Sequence, residues 1–187
     1  MKKISLLGIA CVLFFVQCKK SETDPFLITS DKIGKLPKAT IVKQLDSIFA
    51  NDSLVKINSS PNAIETQGEV EIYEKGGKRL LLLTPKEHDN PNAKIIDVLI
   101  YDTRYRTEDE LNIESKFKDF KNTYEIATIQ RTLNNVLVFF TDSNLYLTID
   151  ARHLTPEVRT NLRAELEAAH IFEDAPIKYL RLDWDSE

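Results

Sequence analysis

Residues 70–84 read VEIYEKGGKRLLLLT, two runs suited to β-strands on either side of a glycine pair. Glycine adopts the positive φ angles of a tight hairpin turn without steric cost, so Gly76 and Gly77 predict a β-hairpin. Residues 136–149, VLVFFTDSNLYLTI, repeat this pattern around an Asp-Ser-Asn turn. The sequence therefore predicts two hairpins of an antiparallel sheet.

Amphipathic segments precede both hairpins. In ATIVKQLDSIF at 39–49 the apolar residues recur with the spacing of one helix face, and Thr40 is a suitable N-cap. ESKFKDFKNTY at 114–124 follows the same pattern. Further strand patterns flank the hairpins in both halves, namely SLVKI at 53–57, EIATI at 125–129, AKIIDVLIYD at 93–102 and APIKYLRLDW at 175–184.

These patterns predict an α+β fold of two tandem units, each a helix followed by four antiparallel strands. The first unit would cover residues 31–106 and the second residues 107–187. Within the second unit, Thr155 and Pro156 are typical of a helix start. The spacing of Val158, Leu162, Leu166 and Ala169 gives one apolar stripe, and the two signals together predict an inserted helix at 156–169. Two arrangements satisfy the pattern: two units that share a core, or two sheets side by side in one larger sheet.

Composition limits the classes of function. The chain has 187 residues, of which 42% are apolar and 29% charged, and its net charge is −4. This is typical of a folded globular body, and an acidic balance without a basic stripe argues against a nucleic acid partner. The two cysteines, Cys11 and Cys18, both precede the body, which therefore has no disulfide, thiolate metal ligand or cysteine nucleophile.

The N-terminal segment has the pattern of an export signal. Two lysines precede an apolar run at 4–16, which is shorter than the roughly 20 residues that a membrane span needs. The run ends at Gln17 and Cys18 and lacks a small-residue cleavage site. The alternatives are a buried N-terminal helix and processing at Cys11, which would leave apolar residues 12–16 exposed.

This ending resembles a bacterial lipobox, and the large residue before the cysteine resembles the relaxed lipoboxes of Bacteroidetes lipoproteins. The resemblance implies a signal peptide at 1–17, acylation of Cys18 and a lipid-anchored tether at 18–30. It also implies a membrane as partner and a place in the cell envelope, on the outer membrane rather than the inner one, facing the periplasm or the cell surface. Two or more acyl chains hold a protein on a membrane stably.

The body resembles tandem units of the β-lactamase inhibitory protein fold, which also occurs singly in the SmpA/OmlA outer-membrane assembly lipoproteins. The resemblance rests on IGKLPKATIVKQL at 33–45, with Gly34 and Thr40 at the positions of the family's opening glycine and threonine. The second unit lacks the glycine, and both units lack the family's adjacent Gly-Met-Thr. The resemblance implies a fold, but an inhibitory or assembly activity does not follow from it.

The sequence predicts neither catalytic residues nor a cofactor or metal site. The histidines His88, His153 and His170 are isolated from one another, without the spacing of a metal-binding motif. The glycine pair of the first hairpin lacks the Lys-Ser/Thr that follows the glycines of a phosphate-binding loop. We therefore expect a non-enzymatic body. A hydrolase-like envelope enzyme with its site near His153 or His88 is the alternative.

One segment carries residue types that are common in interfaces. YDTRYRTEDEL at 101–111 contains Tyr101, Arg104, Tyr105 and Arg106, a candidate interaction surface. The alternative is that these side chains cap the sheet ends and pair with neighbouring acids, namely Asp102, Glu108 and Asp109. The sequence as a whole predicts an envelope lipoprotein that binds or scaffolds a protein or envelope component, with an accessory role in an uptake or secretion complex as a further alternative.

Overall fold

The computed structural model describes residues 24–57 and 68–185. The predicted signal peptide, Cys18 and the first part of the predicted tether lie outside the described residues. Twelve strands occur within the described ranges: β1 Leu27–Ile28, β2 Lys32–Ile33, β3 Leu36–Pro37, β4 Ser53–Lys56, β5 Val70–Tyr73, β6 Arg79–Pro85, β7 Ile95–Ile100, β8 Arg106–Thr107, β9 Ile126–Arg131, β10 Asn135–Phe140, β11 Leu145–Asp150 and β12 Tyr179–Asp183.

Eight of these strands form one large antiparallel sheet. Its order is β4-β5-β6-β7-β12-β11-β10-β9. The two hairpins lie in opposite halves, and β7 pairs with β12 at the centre, with Val98 opposite Leu182 and Ile100 opposite Leu180. This central pairing makes the sheet continuous across the middle of the chain.

The small sheet has the order β3-β2-β1-β8. Strand β1 runs parallel to β8, with Leu27 opposite Arg106 and Ile28 opposite Thr107. Ile28, Ile33 and Leu36 of this sheet are buried in the same core cluster as the large sheet. The small sheet therefore covers part of one face of the large sheet.

The helices are short. α1 is Leu45–Ile48, α2 is Phe117–Thr123 and α3 is Pro156–Arg159, and single 3-10 turns occur at Val42–Gln44, Ala151–His153 and Ala168–His170. Phe49, Phe117 and Phe120 from the helical segments are almost completely buried in the core. Among the residues that the structure describes, no helix is both long and apolar enough to cross a membrane.

The predicted fold class is wrong. The chain is mostly β, with 38% strand and 16% helix, and it has two sheets rather than two helix-plus-four-strand units. The amphipathic pattern at 39–49 yields only one turn of α-helix after a 3-10 turn, and this segment buries Leu45 and Phe49 in the core. The short strands β1 and β8, in segments assigned to the tether and the unit boundary, pair with each other in the second sheet.

The predicted inserted helix at 156–169 is also wrong. Only α3 and a separate 3-10 turn form there. Asn161 interrupts the segment, because its side-chain Oδ1 accepts a hydrogen bond from the Arg163 N–H at 3.2 Å in place of a helical partner. Of the predicted apolar stripe, Val158 is buried but Leu162 is 69% exposed.

Candidate interaction face

Among the described residues, the helical segments and the small sheet pack against one face of the large sheet. Side chains alternate between the faces along each strand, and β6 contributes Leu81 and Leu83 to the core cluster but not the intervening Leu82. Leu99 of β7 is likewise outside the cluster, and both leucines are buried beneath neighbouring side chains of their own face, at 8% and 5% exposed. The helices α1, α2 and α3 and the small sheet all contribute apolar side chains to the core cluster, on the same side of the large sheet. We call the opposite surface the open face.

The middle of the open face is a row of side chains that crosses six strands. Strand pairing places its members side by side, and they comprise two charged, two apolar and two aromatic side chains. In spatial order the row is Glu71, Leu82, Leu99, Arg181, Tyr146 and Phe139. This row is the strongest candidate for a functional site in the described part of the chain.

Asp97 organises the centre of the row. Its Oδ1 accepts hydrogen bonds from Arg181 Nε at 3.0 Å and Nη2 at 2.5 Å. Its Oδ2 accepts the hydroxyl hydrogen of Tyr146 at 2.7 Å. Phe139 stacks on the Tyr146 ring at 5.1 Å between centroids, with 17° between the planes. The four side chains come from four strands and fix one another's orientation.

The protonation states of this cluster are set by burial and by Asp97. Burial raises the pKa of the Tyr146 hydroxyl, and the neighbouring carboxylate raises it further. Burial alone would lower the pKa of Arg181, but its hydrogen bonds and ion pair with Asp97 outweigh burial and raise it. Tyr146 is therefore a neutral donor and Arg181 a cation at neutral pH, and the cluster presents fixed polar groups.

A second cluster occupies the other half of the open face. Arg79 forms an ion pair with Glu71, and Tyr73 donates its hydroxyl hydrogen to Glu71 Oε2 at 2.6 Å. The Arg79 guanidinium also lies 3.7 Å from the centroid of the Tyr101 ring. This contact is a cation–π interaction, which holds the arginine flat against the aromatic ring.

The open face has the chemistry of a binding surface. Tyrosine and arginine are over-represented among the residues that carry binding energy. Here they lie over Leu82 and Leu99, which are buried and support them from below. Asp97 uses both oxygens for hydrogen bonds within the cluster. In the described residues no group of three or more His, Cys, Asp or Glu side chains is arranged to hold a metal ion.

The three histidines lie apart from one another. His88 is an exposed loop residue whose Nδ1 lies 3.0 Å from Asp89 Oδ2. His153 ends the 3-10 turn after β11. His170 Nδ1 accepts the backbone N–H of Glu167 at 3.0 Å, a local capping contact. Neither His88 nor His153 hydrogen-bonds to a serine or threonine hydroxyl within the described ranges.

The structure separates the four predicted interface residues. Tyr101 lies at the edge of the open face beneath Arg79. Tyr105 is only 3% exposed and packs edge-on against Phe26. Burial raises its pKa. Tyr105 is thus a core residue and cannot contact a partner directly.

The two predicted arginines are engaged in ion pairs. Arg104 pairs with Asp102 at 2.7 Å and with Glu74 at 2.9 Å. Arg106 pairs with Asp24 at 2.8 Å and with Glu110 at 2.7 Å. Glu108 and Asp109, the other expected partners, are not in these ion pairs. The arginines hold the start of the described chain against the body.

Sequence reasoning missed the central cluster of the open face. The alternation in YLRLD at 179–183 does place Arg181 opposite the core side chains. However, the cluster forms only because β12 pairs with β7, two strands that are about 80 residues apart in the chain. Strand patterns alone do not indicate which strands will be neighbours.

Comparison with known proteins identifies a similar fold. No protein-family model matches the chain. No curated protein sequence matches it. The crystal structure of the uncharacterized protein yfeY from Escherichia coli superposes with a TM-score of 0.55 at 12% identity, covering 83% of this chain and 98% of that one. At this identity the likeness concerns the fold alone.

Proposed function

We propose that this chain is a lipid-anchored protein of the cell envelope whose non-enzymatic body binds a protein partner through the open face. The observation that carries the proposal is the Asp97–Arg181–Tyr146–Phe139 cluster on a sheet face that no described element covers. A cluster held by its own hydrogen bonds loses little side-chain entropy on binding, which favours association. The lipobox-like Cys18 supports anchoring.

The occupant of this face is a folded protein rather than a small molecule. The cluster lies on the middle strands of an eight-stranded sheet, where neighbouring strands are about 4.8 Å apart. A protein surface can cover several strands at once, and the aromatic–arginine centre with apolar neighbours matches the centre of a protein interface. A partner from an uptake or secretion complex would satisfy this description.

Site-specific photo-crosslinking in intact cells tests the binding face. A benzophenone amino acid at Thr128, which is exposed and lies opposite Phe139 on the open face, is expected to capture a partner. The matched control carries the same group at Asp46, an exposed position of α1 on the covered side. Equal capture at both positions, or none at Thr128, would show that the open face is not the binding surface.

A substitution identifies the side chains responsible. In the Thr128-labelled chain, Phe139→Ala should remove the stacked ring and weaken the partner's affinity about tenfold, which corresponds to about 1.4 kcal/mol. The circular dichroism spectrum should be unchanged, because Phe139 lies outside the core cluster. Undiminished crosslinking in this variant would argue against the aromatic cluster as the contact.

The anchoring part of the proposal has a separate test. Cys18→Ala should abolish the uptake of labelled fatty acid and the acyl-dependent association with membranes. The control is Cys11→Ala, which should leave both unchanged. If the Cys18→Ala chain is still acylated, the modified residue is not Cys18.

The alternative proposal is an envelope hydrolase near His153 or His88. Such an activity needs a positioned nucleophile next to the base, and neither imidazole has a hydroxyl partner among the described residues. A fluorophosphonate that covalently labels the folded chain would favour the enzyme. Loss of this labelling in only one of the two variants, His153→Ala or His88→Ala, would identify the base.

A further inference from the structure

The two ends of the large sheet differ in polarity. We define the tether end by the hairpin turn at 74–78 and the turn at 131–135, which lie at the same end of their strands. The far end carries the loop at 86–92 and the turn at 141–144. The described chain enters at the tether end, where Phe26 lies under the Arg104 guanidinium that also binds Glu74.

Exposed apolar side chains gather at the tether end. Leu133, in the turn between β9 and β10, is 87% exposed, and Leu162 is 69% exposed. Arg131 Nη2 donates to the Val158 carbonyl at 2.8 Å, which ties the segment that carries Leu162 to the turn that carries Leu133. Two further exposed residues lie at this end, Phe172 at 46% and Tyr179 at 38%.

The far end has no comparable side chain in the described part of the chain. The remaining large exposed apolar residue is Val55, which lies within β4. The loop at 86–92 reads KEHDNPN and the turn at 141–144 reads TDSN, both wholly polar apart from one proline. Exposed leucines at both ends would indicate ordinary surface composition, but their restriction to one end gives the molecule an orientation.

Arginine and glutamate side chains flank Leu162. Arg159 and Arg163 flank Leu162 in sequence, and both are exposed. Arg152 joins them through a contact of 3.5 Å between Arg159 Nη1 and its carbonyl oxygen. Glu157, Glu165 and Glu167 lie in the same segment and balance the formal charge of the three arginines, so insertion would depend on the leucines rather than on net charge. Apolar tips flanked by arginines suit the boundary between lipid headgroups and acyl chains.

We propose that the tether end rests on a phospholipid bilayer, with Leu133 and Leu162 inserted among the headgroups. This inference rests on the proposed anchoring at Cys18. Only residues 18–23 separate that cysteine from the described chain, and six residues span at most about 20 Å. The tether end is therefore held close to the bilayer, whereas the far end lies a strand length of about 20 Å beyond it.

Site-specific labelling of the reconstituted full chain tests this orientation. The body has no cysteine of its own. In the processed chain, which has lost Cys11 with the signal peptide and carries acylated Cys18, Leu133→Cys or Leu162→Cys therefore supplies a single reactive thiol. Each variant carries an environment-sensitive fluorophore and is reconstituted in vesicles of phosphatidylethanolamine and phosphatidylglycerol that contain a lipid-borne quencher. Both labels are expected to be quenched several-fold more than a matched label at Ser143 in the far-end turn.

The outcomes separate the two proposals. If the chain floats with the vesicles and the three labels are quenched equally, anchoring stands and the proposed orientation is wrong. If the chain does not float with the vesicles, the anchoring fails, and the orientation that depends on it is rejected with it. Because Leu133 and Leu162 are exposed, their replacement is not expected to affect folding.

Discussion

Asp102 shows how a single buried charge secures the entry of the chain. Its side chain is fully buried, and it accepts hydrogen bonds from the Arg104 backbone N–H at 2.9 Å and from the guanidinium. Lys78 Nζ lies 3.1 Å away. Burial alone would raise the pKa of this carboxyl, but these donors outweigh burial and lower it from 3.8 to about 2. The ionised form therefore contributes to stability.

Asp102→Asn should lower the free energy of unfolding by about 2 kcal/mol at neutral pH, because it leaves Arg104 without its buried partner. The native pKa lies below the unfolded one, so the carboxylate's contribution is fully present above about pH 4 and is lost as the pH falls towards about 2. Urea denaturation at several pH values measures both effects.

The matched control for Asp102 is Glu110→Gln. Glu110 forms an ion pair with Arg106 at the surface and its side chain is 74% exposed, so its removal should cost less than about 1 kcal/mol. If the two variants lose the same stability, or if the Asp102→Asn difference persists at about pH 2, the buried carboxylate is not the cause.

The structure explains why residue 34 must be a glycine, which the sequence alone does not reveal. Its φ is +54°, and a Cβ atom there would lie 2.1 Å from the Pro25 carbonyl oxygen. Gly34→Ala should therefore destabilise the fold by about 2 kcal/mol or more, through strain and a clash with backbone. Gly76→Ala is the control for backbone strain alone. Its φ of +119° is less accessible to alanine than that of Gly34, but its Cβ would meet nothing within 4 Å, so a larger loss at Gly34 reports the contact. Thermal unfolding should show the larger loss for Gly34→Ala, and equal losses would refute the contact.

At the scale of elements, strands are indicated better than helices. The hairpins at 70–84 and 136–149 were predicted from turn chemistry within the same short segment, and the structure has β5–β6 and β10–β11 there. The helix at 156–169 was predicted from the spacing of apolar residues. That spacing does not produce a helix, because the side chain of Asn161 accepts a backbone hydrogen bond and Leu162 is exposed rather than packed in the core.

A pair of substitutions tests this account of the 156–170 segment. Val158→Ala should cost about 2 kcal/mol, because Val158 is 6% exposed and belongs to the core cluster. Leu162→Ala should cost less than about 0.5 kcal/mol. A continuous amphipathic helix would make both losses similar. Comparable losses of unfolding free energy, measured by urea denaturation, would therefore support the predicted helix at 156–169.

At the scale of the molecule, one core unites both halves of the chain. The core cluster includes Leu81 of the first half and Phe120 of the second, and the β7–β12 pairing joins the sheet between them. The sequence left open a shared core and a single larger sheet, and the structure has both. The β7–β12 pairing that joins the two halves could not be predicted, because pairing between distant strands is not encoded in local periodicity. For the same reason the sequence did not predict the Asp97–Arg181 contact. The segment 101–106 was predicted as an interaction surface from its residue types alone.

A shared core predicts unfolding in a single step. Phe120→Ala should lower the free energy of unfolding by about 4 kcal/mol. The unfolding midpoints of this variant, measured by the fluorescence of Trp184 and by far-ultraviolet circular dichroism, should shift by the same amount. Trp184 is a suitable probe because its backbone hydrogen-bonds to β7. Separate transitions for the two probes would show that the halves unfold independently.

The small sheet also determines how the molecule responds to force. A pull between an anchored N-terminus and a partner on the open face enters at Asp24 and passes first through the β1–β8 pairing. That pairing joins two residues on each strand, whereas each pairing inside the large sheet joins four or five. The small sheet should therefore give way first, lengthening the connection to the membrane while the eight-stranded sheet and its bound partner remain intact.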